Sequence, residues 1–337
     1  MSNYRHRLPQ AIERLDTMPA LAESRNRVLR VLLEPNSRDE DLVTAIESDV
    51  ALVVAVMRLA NADERKRGKI ATVPDAIRVL APEGIETLAR RIGVYGFFER
   101  IPGWQLPPER FRLHAVAVAG TTDMIAREID YPRPDELLVA ALLHDLGKVV
   151  MADAYPAYLE RLSDTSMSPE ERVHAERVEY GVDHAVIGGV LLRRWRFPQA
   201  IARAVERHHS ADAEGEAAII RLADGLTRYE LGETVRPAEL EQAAAAVGFD
   251  TAALQSLMYR LPERGERRRR TTAKSPLSNQ EREVLRGLAA SKVYKEIAHD
   301  LGIAASTVRS HLHNVYAKLG AADRAQAVLI ASREGWI

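Results

Sequence analysis

The chain has 337 residues, 46% of them hydrophobic and 28% charged, which is long enough for two or three domains. It contains no cysteine, which excludes disulfides and thiolate metal sites and leaves His and carboxylate to hold any ion. The formal net charge of -1 is unevenly spread: from Glu263 to the end, 14 Lys/Arg stand against 8 Asp/Glu, a net of +6, which leaves -7 on the residues before it. A basic tail on an acidic body points to a polyanion-binding module joined to something else. Met1–Glu13 is polar, so no signal peptide is read there, and no apolar run approaches a membrane span. The expectation is a cytoplasmic protein with no membrane partner.

From Leu8 to about Ala60 the pattern is helical throughout. Leu15, Met18 and Leu21 lead into Val28, Leu29, Val31 and Leu32, a break is expected at Pro35-Asn36-Ser37, and Leu42, Val43 and Ile46 resume a 3-4 spacing. Asp49 opens a further helix through Val56 and Leu59. Val73-Pro74-Asp75 begins another, with Pro near its first turn. Pro107-Pro108 starts a long helix that carries His114 among Phe111, Val116, Val118 and Ile125, where a lone His also fits as a core residue.

Apolar residues then run from Leu137 to Leu142-Leu143-His144-Asp145-Leu146-Gly147-Lys148, read as a buried helix that stops at Gly147. A His-Asp pair at a helix end ordinarily complements the helix dipole and meets solvent. The other histidines change that reading. His184 opens the helix after Gly181, His208-His209 closes the helix that starts at Pro198, and Asp224 lies between Leu222 and Leu226 on an otherwise apolar helix. His114, His144, Asp145, His184, His208, His209 and Asp224 thus occupy five predicted helices. Imidazole and carboxylate without thiolate suit Fe, Mn or Zn, and seven ligands are enough for one or two such ions. Two ions can generate a hydroxide and clamp a phosphodiester during in-line attack.

The order His, His-Asp, His, His-His, Asp resembles the HD metal-dependent phosphohydrolase superfamily in its metal-rich form. Leu-x-x-Met-Pro-Ala-Leu at Leu15 to Leu21, Ile46-Glu47-Ser48-Asp49 and Leu59-Ala60-Asn61 resemble its HDOD variant, the likeness covering about residues 8–235. Val50 stands where that family usually has Pro, and Ala62-Asp63 replaces its usual Ser-Ala. The resemblance implies a signalling module, often with a decayed metal site, yet this chain keeps a full ligand set. No Gly-Tyr-Pro follows His209, so it departs from the cyclic-dinucleotide-hydrolysing HD-GYP enzymes.

After an Ala-rich helical segment from Glu230 to Tyr259, residues 262–276, with Arg267-Arg268-Arg269-Arg270, read as a linker, either a solvated tether or a source of added phosphate contacts. Ser278 and Glu281 then form a capping-box signature. Lys295 to Leu301 ends at Gly302, Ile303-Ala304-Ala305 is a turn, and Ser306 is expected to cap the next helix, a helix-turn-helix arrangement. In that second helix Val308, Leu312, Val315 and Leu319 share one arc and face the core. Leu-Ser-x-x-Glu-Arg-Glu-Val-Leu, Lys-Glu-Ile-Ala, Ser-Thr-Val-Arg-x-His-x-x-Asn-Val-x-x-Lys-Leu and Asp-Arg-Ala-Gln-Ala, in that order, closely resemble the LuxR-type (GerE) DNA-binding domain. That resemblance implies Arg309, Ser310 and His313 at base edges, Lys295, Ser306, Thr307, Asn314 and Lys318 on phosphates or the local turn, and dimerisation through the last helix, Ala325 to Ser332.

The expected fold is all-α: an HDOD/HD domain over residues 1–261 (a helical part at about 8–100 and the metal-site bundle at about 101–261), the linker, and a four-helix LuxR-type domain over 277–337. The expected function is a transcription regulator, acting as a homodimer on double-stranded DNA, whose HD domain binds divalent metal and senses a ligand such as a nucleotide second messenger. The rival expectation is a metal-dependent phosphohydrolase with Asp145 and Lys148 as its catalytic residues. No organic cofactor is expected.

Overall fold

A computed structural model describes residues 7–15, 18–34, 37–63, 68–95, 108–155, 157–159, 166–261, 275–289, 292–321, 324–333 and 336. The Arg-rich stretch 262–274 and the Pro35-Asn36 break lie outside the described residues. The chain is all-α and divides into two compact units, Met1–Met258 and Tyr259–Ile337.

The first unit opens with α1 (Arg7–Arg14), α2 (Ala22–Leu33), α3 (Asp39–Glu47), α4 (Val50–Ala60) and α5 (Val73–Arg91). The helical pattern read through Leu21 is interrupted. Ala20–Leu21 forms a two-residue strand, β1, parallel to β2 (Val94–Tyr95), because Pro19 has no N–H to continue a helix and extended backbone at that point meets a partner from across the subdomain. Asp49 explains how the strand is tied down. As N-cap of α4 it accepts from the Ala51 amide at 2.9 Å, and its other oxygen accepts from the Leu21 amide at 2.9 Å. Asn61, at the other end of α4, donates to the carbonyls of Met57 and Ile70 and accepts from the Ile70 amide, closing the loop before α5. Thr72 caps α5 by accepting from the Asp75 amide, as the Pro at the first turn predicts.

The rest of this unit is a bundle: α6 (Pro108–Glu128), α7 (Pro134–Leu143), α8 (Leu146–Ala154), α9 (Pro169–Tyr180), α10 (His184–Arg194), α11 (Gln199–Arg207), α12 (Gly215–Glu230), α13 (Pro237–Val247) and α14 (Thr251–Arg260). Leu137, Leu142, Leu143 and Leu146 are fully buried, and α7 is apolar on nearly every side, as befits a central helix. The helix expected to stop at Gly147 stops instead at Leu143. His144 and Asp145 form a turn, and α8 begins at Leu146 with Gly147 and Lys148 inside it.

The second unit holds α15 (Asn279–Ala289), α16 (Tyr294–Leu301), α17 (Ala305–Leu319) and α18 (Arg324–Arg333) around Val284, Leu285, Leu288, Ile297, Val308, Leu312 and Val315. The capping box forms as its spacing predicts: the Glu281 amide donates to Ser278 Oγ at 3.2 Å and the Ser278 amide to Glu281 Oε2 at 2.7 Å. Ser306 does not cap α17. The helix starts two residues earlier, with Ala304 as N-cap and the Thr307 amide donating to its carbonyl at 2.9 Å.

Candidate metal centre and nucleic-acid interface

Five helices deliver the seven ligand candidates. His114 comes from the middle of α6, His144 and Asp145 from the turn between α7 and α8, and His184 from the first residue of α10. His208 and His209 come from the end of α11, and Asp224 from the middle of α12. His144, His184 and His208 are fully buried, and Asp145, His209 and Asp224 nearly so. Glycines permit the approach. A Cβ on Gly147 would lie 1.9 Å from the His184 carbonyl oxygen, so α8 meets α10 backbone to backbone, and one on Gly189 would lie 2.6 Å from Glu206 Cβ and 3.1 Å from the Ala202 carbonyl oxygen of α11.

Three imidazoles are oriented from behind. His144 Nδ1 lies 2.7 Å from the Ala141 carbonyl and His208 Nδ1 2.7 Å from the Val205 carbonyl. His184 Nδ1 lies 2.7 Å from Glu176 Oε2, whose other oxygen accepts from the buried Tyr158 hydroxyl at 2.7 Å. A carbonyl or carboxylate only accepts, so each Nδ1 carries the proton and each Nε2 turns a lone pair inward. Those Nε2 atoms, both ring nitrogens of His209 and Asp145 Oδ1 have no hydrogen-bond partner. Asp145 Oδ1 stands 3.4 Å from Nε2 of both His144 and His184. Acceptors aimed at one another in a dry interior cost about 1–3 kcal/mol each unless a proton or cation lies between them.

Among the described residues, two sets of donor atoms each lie within 4.8 Å of one another: Asp145 with His184, His208 and His209, and Asp145 with His114 and His144. Neutral imidazole and carboxylate at that spacing fit Fe, Mn or Zn, with Asp145 common to both sets. Asp224 belongs to neither set. Its Oδ1 is 3.0 Å from His114 Nε2, and both its oxygens accept from Arg228 Nε, at 2.9 and 3.0 Å.

The electrostatics follow from burial and these neighbours. Burial, with His144 and His184 alongside, pushes His208 down to about 3, and burial with His208 beside it takes His209 well below the usual histidine range. Burial also lowers His114, with Arg228 adding to it. Burial opposes charge on His184 too, but the charge and hydrogen bond of Glu176, together with Asp145, leave the imidazole raised. Burial opposes the carboxylates as well. His144 and Lys148 nevertheless hold Asp145 well below the usual range, Arg228 and His114 do the same for Asp224, and His184 brings Glu176 to about 2. Lys148 Nζ donates to Asp145 Oδ2 at 2.6 Å, and burial lowers its pKa.

Sequence reading passed over two residues of this centre. Arg228 is spaced four residues from Asp224 on one helix, a legible ion-pair signal. Glu176 lies in a stretch rich in charge, and nothing in its local pattern marks it as the partner of His184.

In the second unit Lys295 of α16 is exposed; Ser306, Arg309, Ser310, His313, Asn314 and Lys318 are exposed and Thr307 half-buried on α17, whose buried residues are Val308, Leu312 and Val315. Lys318 is also engaged from below: its Nζ donates to both carboxylate oxygens of the buried Glu281, at 2.9 and 2.7 Å.

Fold and centre together define the class, an all-helical HD-type domain carried in one chain with a helix-turn-helix unit. The chain belongs to the HDOD domain family, whose model matches residues 18–211, and residues 275–331 match the luxR family of bacterial regulatory proteins. A protein of Treponema pallidum is 27% identical over 237 residues, 65% of this chain and 45% of that one. The C-terminal unit is similar to the "Probable transcriptional regulatory protein NarL" of Mycobacterium tuberculosis, 45% identical over 71 residues, 21% of this chain and 33% of that one. The solved structure of the MmoQ response regulator from Methylococcus capsulatus has the same fold, with a TM-score of 0.56 at 23% identity over 72% of this chain and 98% of that one. The chain spans less than half the length of the first curated relatives it matches. No helix among the described residues is long and apolar enough to cross a membrane.

Proposed function

We propose that this chain is a cytoplasmic, DNA-binding transcription regulator whose HDOD domain holds divalent metal and senses a ligand. The observation that carries the metal reading is the set of buried, partnerless polar atoms: Nε2 of His144, His184 and His208, both nitrogens of His209, one of which is an acceptor in the neutral ring, and Asp145 Oδ1. Such a set is costly without a cation and is the donor complement that Fe, Mn or Zn takes. The ligand side chains of the centre are buried, and the cavity bordered by His209 and Asp224 has a volume of about 10 Å³, room for about one water. Such burial favours a sensing or structural role over hydrolysis, since a catalytic ion keeps an open position for substrate. In the hydrolase reading Lys148 would stabilise a phosphate, yet it is buried against Asp145.

The ligand class proposed is a nucleotide. A cleft of about 550 Å³ presents Arg133, Arg203 and Arg207 with Gly215 at the start of α12. It borders α11 and α12, the helices that deliver His208, His209 and Asp224, although Asp212, Glu214 and Glu216 share its wall. On DNA, α17 would enter the major groove as one half of a homodimer, with Arg309, Ser310 and His313 at base edges. Lys295, Ser306, Thr307, Asn314 and Lys318 would hold phosphates.

The test is elemental analysis of the full-length protein after supplementation with Fe, Mn or Zn, paired with duplex-DNA binding before and after chelation. The expected result is a retained ion that the double substitution His144→Ala/Asp145→Ala abolishes, and a DNA affinity that changes when the ion is removed. Protein that takes up no metal refutes the metal reading, and protein that binds no duplex at low salt refutes the regulator reading.

A further inference from the structure

Asp145 has two unlike sides. Oδ1 faces the partnerless imidazoles, at 3.4 Å from His144 and His184. Oδ2 faces the cations Lys148, with Nζ at 2.6 Å, and Arg228, with Nη2 at 3.7 Å, and the imidazole of His114, with Nε2 at 3.4 Å. On that second side one imidazole stands between two carboxylates, His114 Nε2 lying 3.4 Å from Asp145 and 3.0 Å from Asp224, groups of the kind that hold a divalent ion. The space among them holds the Arg228 guanidinium. Its Nε donates to both oxygens of Asp224 at 2.9 and 3.0 Å, and its Nη2 lies 3.5 Å from His114 Nε2. Its Nη1 donates to Glu233 Oε2 at 2.7 Å, so carboxylates on two sides hold the planar group where it is. A guanidinium stays charged at any pH the fold survives, and its fork matches carboxylates in fixed directions. A divalent ion at that place would meet a fixed positive charge among its own ligands.

The geometry points to Arg228 as a built-in cation that takes the place of an ion between His114, Asp145 and Asp224, leaving only the imidazole side of Asp145 open to metal. The inference rests on the proposed metal centre, and it makes Arg228 a residue that sets the number of ions held.

Equilibrium dialysis of the full-length protein and of Arg228→Gln and Arg228→Met against Mn(II), with circular dichroism to confirm folding, separates the two readings. The substituted proteins are expected to bind one ion more per chain than the wild type, and Arg228→Gln combined with Asp224→Asn to return to the wild-type number. Equal stoichiometry in wild type and single variants overturns the inference. The absolute number in the wild type, one or none, decides the proposed centre separately. A second readout needs no substitution. Electron paramagnetic resonance of the Mn(II)-saturated wild type is expected to show the signal of isolated ions, and an exchange-coupled pair overturns the inference.

Discussion

Gly147 lies against the carbonyl of His184 so closely that a Cβ built on it would stand 1.9 Å from that oxygen and 2.9 Å from the amide nitrogen of Gly188. The contact is backbone to backbone, so no side-chain rotamer relieves it. It sets the separation between the Asp145 turn and the first residue of α10, and with it the 3.4 Å between Asp145 Oδ1 and His184 Nε2. Gly147→Ala is expected to destabilise the first unit by on the order of 3 kcal/mol or more, since two backbones must separate. Metal uptake should be lost with it. Urea unfolding of the full-length chain, followed alongside Mn(II) binding, checks both, and a substitution that leaves the midpoint unchanged contradicts the packing argument.

Glu176 acts on the centre through His184, accepting from its Nδ1–H and from its backbone amide at once. Glu176→Gln keeps the shape but removes the charge that fixes the tautomer and raises the basicity of Nε2. Loss of such an outer partner typically weakens metal binding about 10–100-fold. Titration against a chelator of known affinity measures it. The packing around Tyr158 should survive, so a drop in thermal stability with unchanged metal affinity would mean a purely structural role.

Glu47, at the end of α3, is largely buried, and burial, helped by the charge of Asp135, raises its pKa from 4.5 to about 7. A carboxyl raised in the folded state favours the neutral form there. Its contribution is therefore fully present below about pH 4.5 and is lost as pH rises through about 7. Glu47→Gln removes the cost of ionising it. The substitution should stabilise the protein at pH 8 by on the order of 2 kcal/mol, after allowing for partial exposure, and make little difference at pH 4.5. Thermal unfolding of both proteins at the two pH values checks the sign.

In the second unit the exposed residues of α16 and α17 separate three expected effects. Arg309→Ala should relax base preference at one position of the site by about 1–3 kcal/mol, whereas Lys295→Ala should weaken all sequences alike and lower the salt slope by about 1. Lys318→Ala strands the buried carboxylate of Glu281, which also completes the capping box of α15, so it should lower the melting temperature of this unit as well as DNA affinity. Binding isotherms at several salt concentrations, over a panel of single-base variants, distinguish the three.

Much of this protein is legible before any coordinates. The capping box at Ser278 and Glu281, the buried arc of Val308, Leu312 and Val315, and the start of α10 at Asp183-His184 depend on residues within about four positions of one another, which backbone periodicity fixes locally. The identity of the ligand candidates follows equally from composition, since a chain without cysteine has only imidazole and carboxylate to offer. Local pattern misplaced what distant backbone decides. A strand at Ala20–Leu21 exists because Val94–Tyr95 lies beside it, and the helix expected to run to Gly147 breaks at His144 because the turn there must meet α10. The same holds for the division of labour in the centre. Glu176 reaches His184 across the turn between α9 and α10, and Arg228 reaches His114, 114 residues away in the chain, only because the bundle brings α6 and α12 together. Which acceptors are left facing one another, and which are already satisfied by an arginine, is a property of that closure and of the low dielectric it creates, and no periodicity in the sequence encodes it.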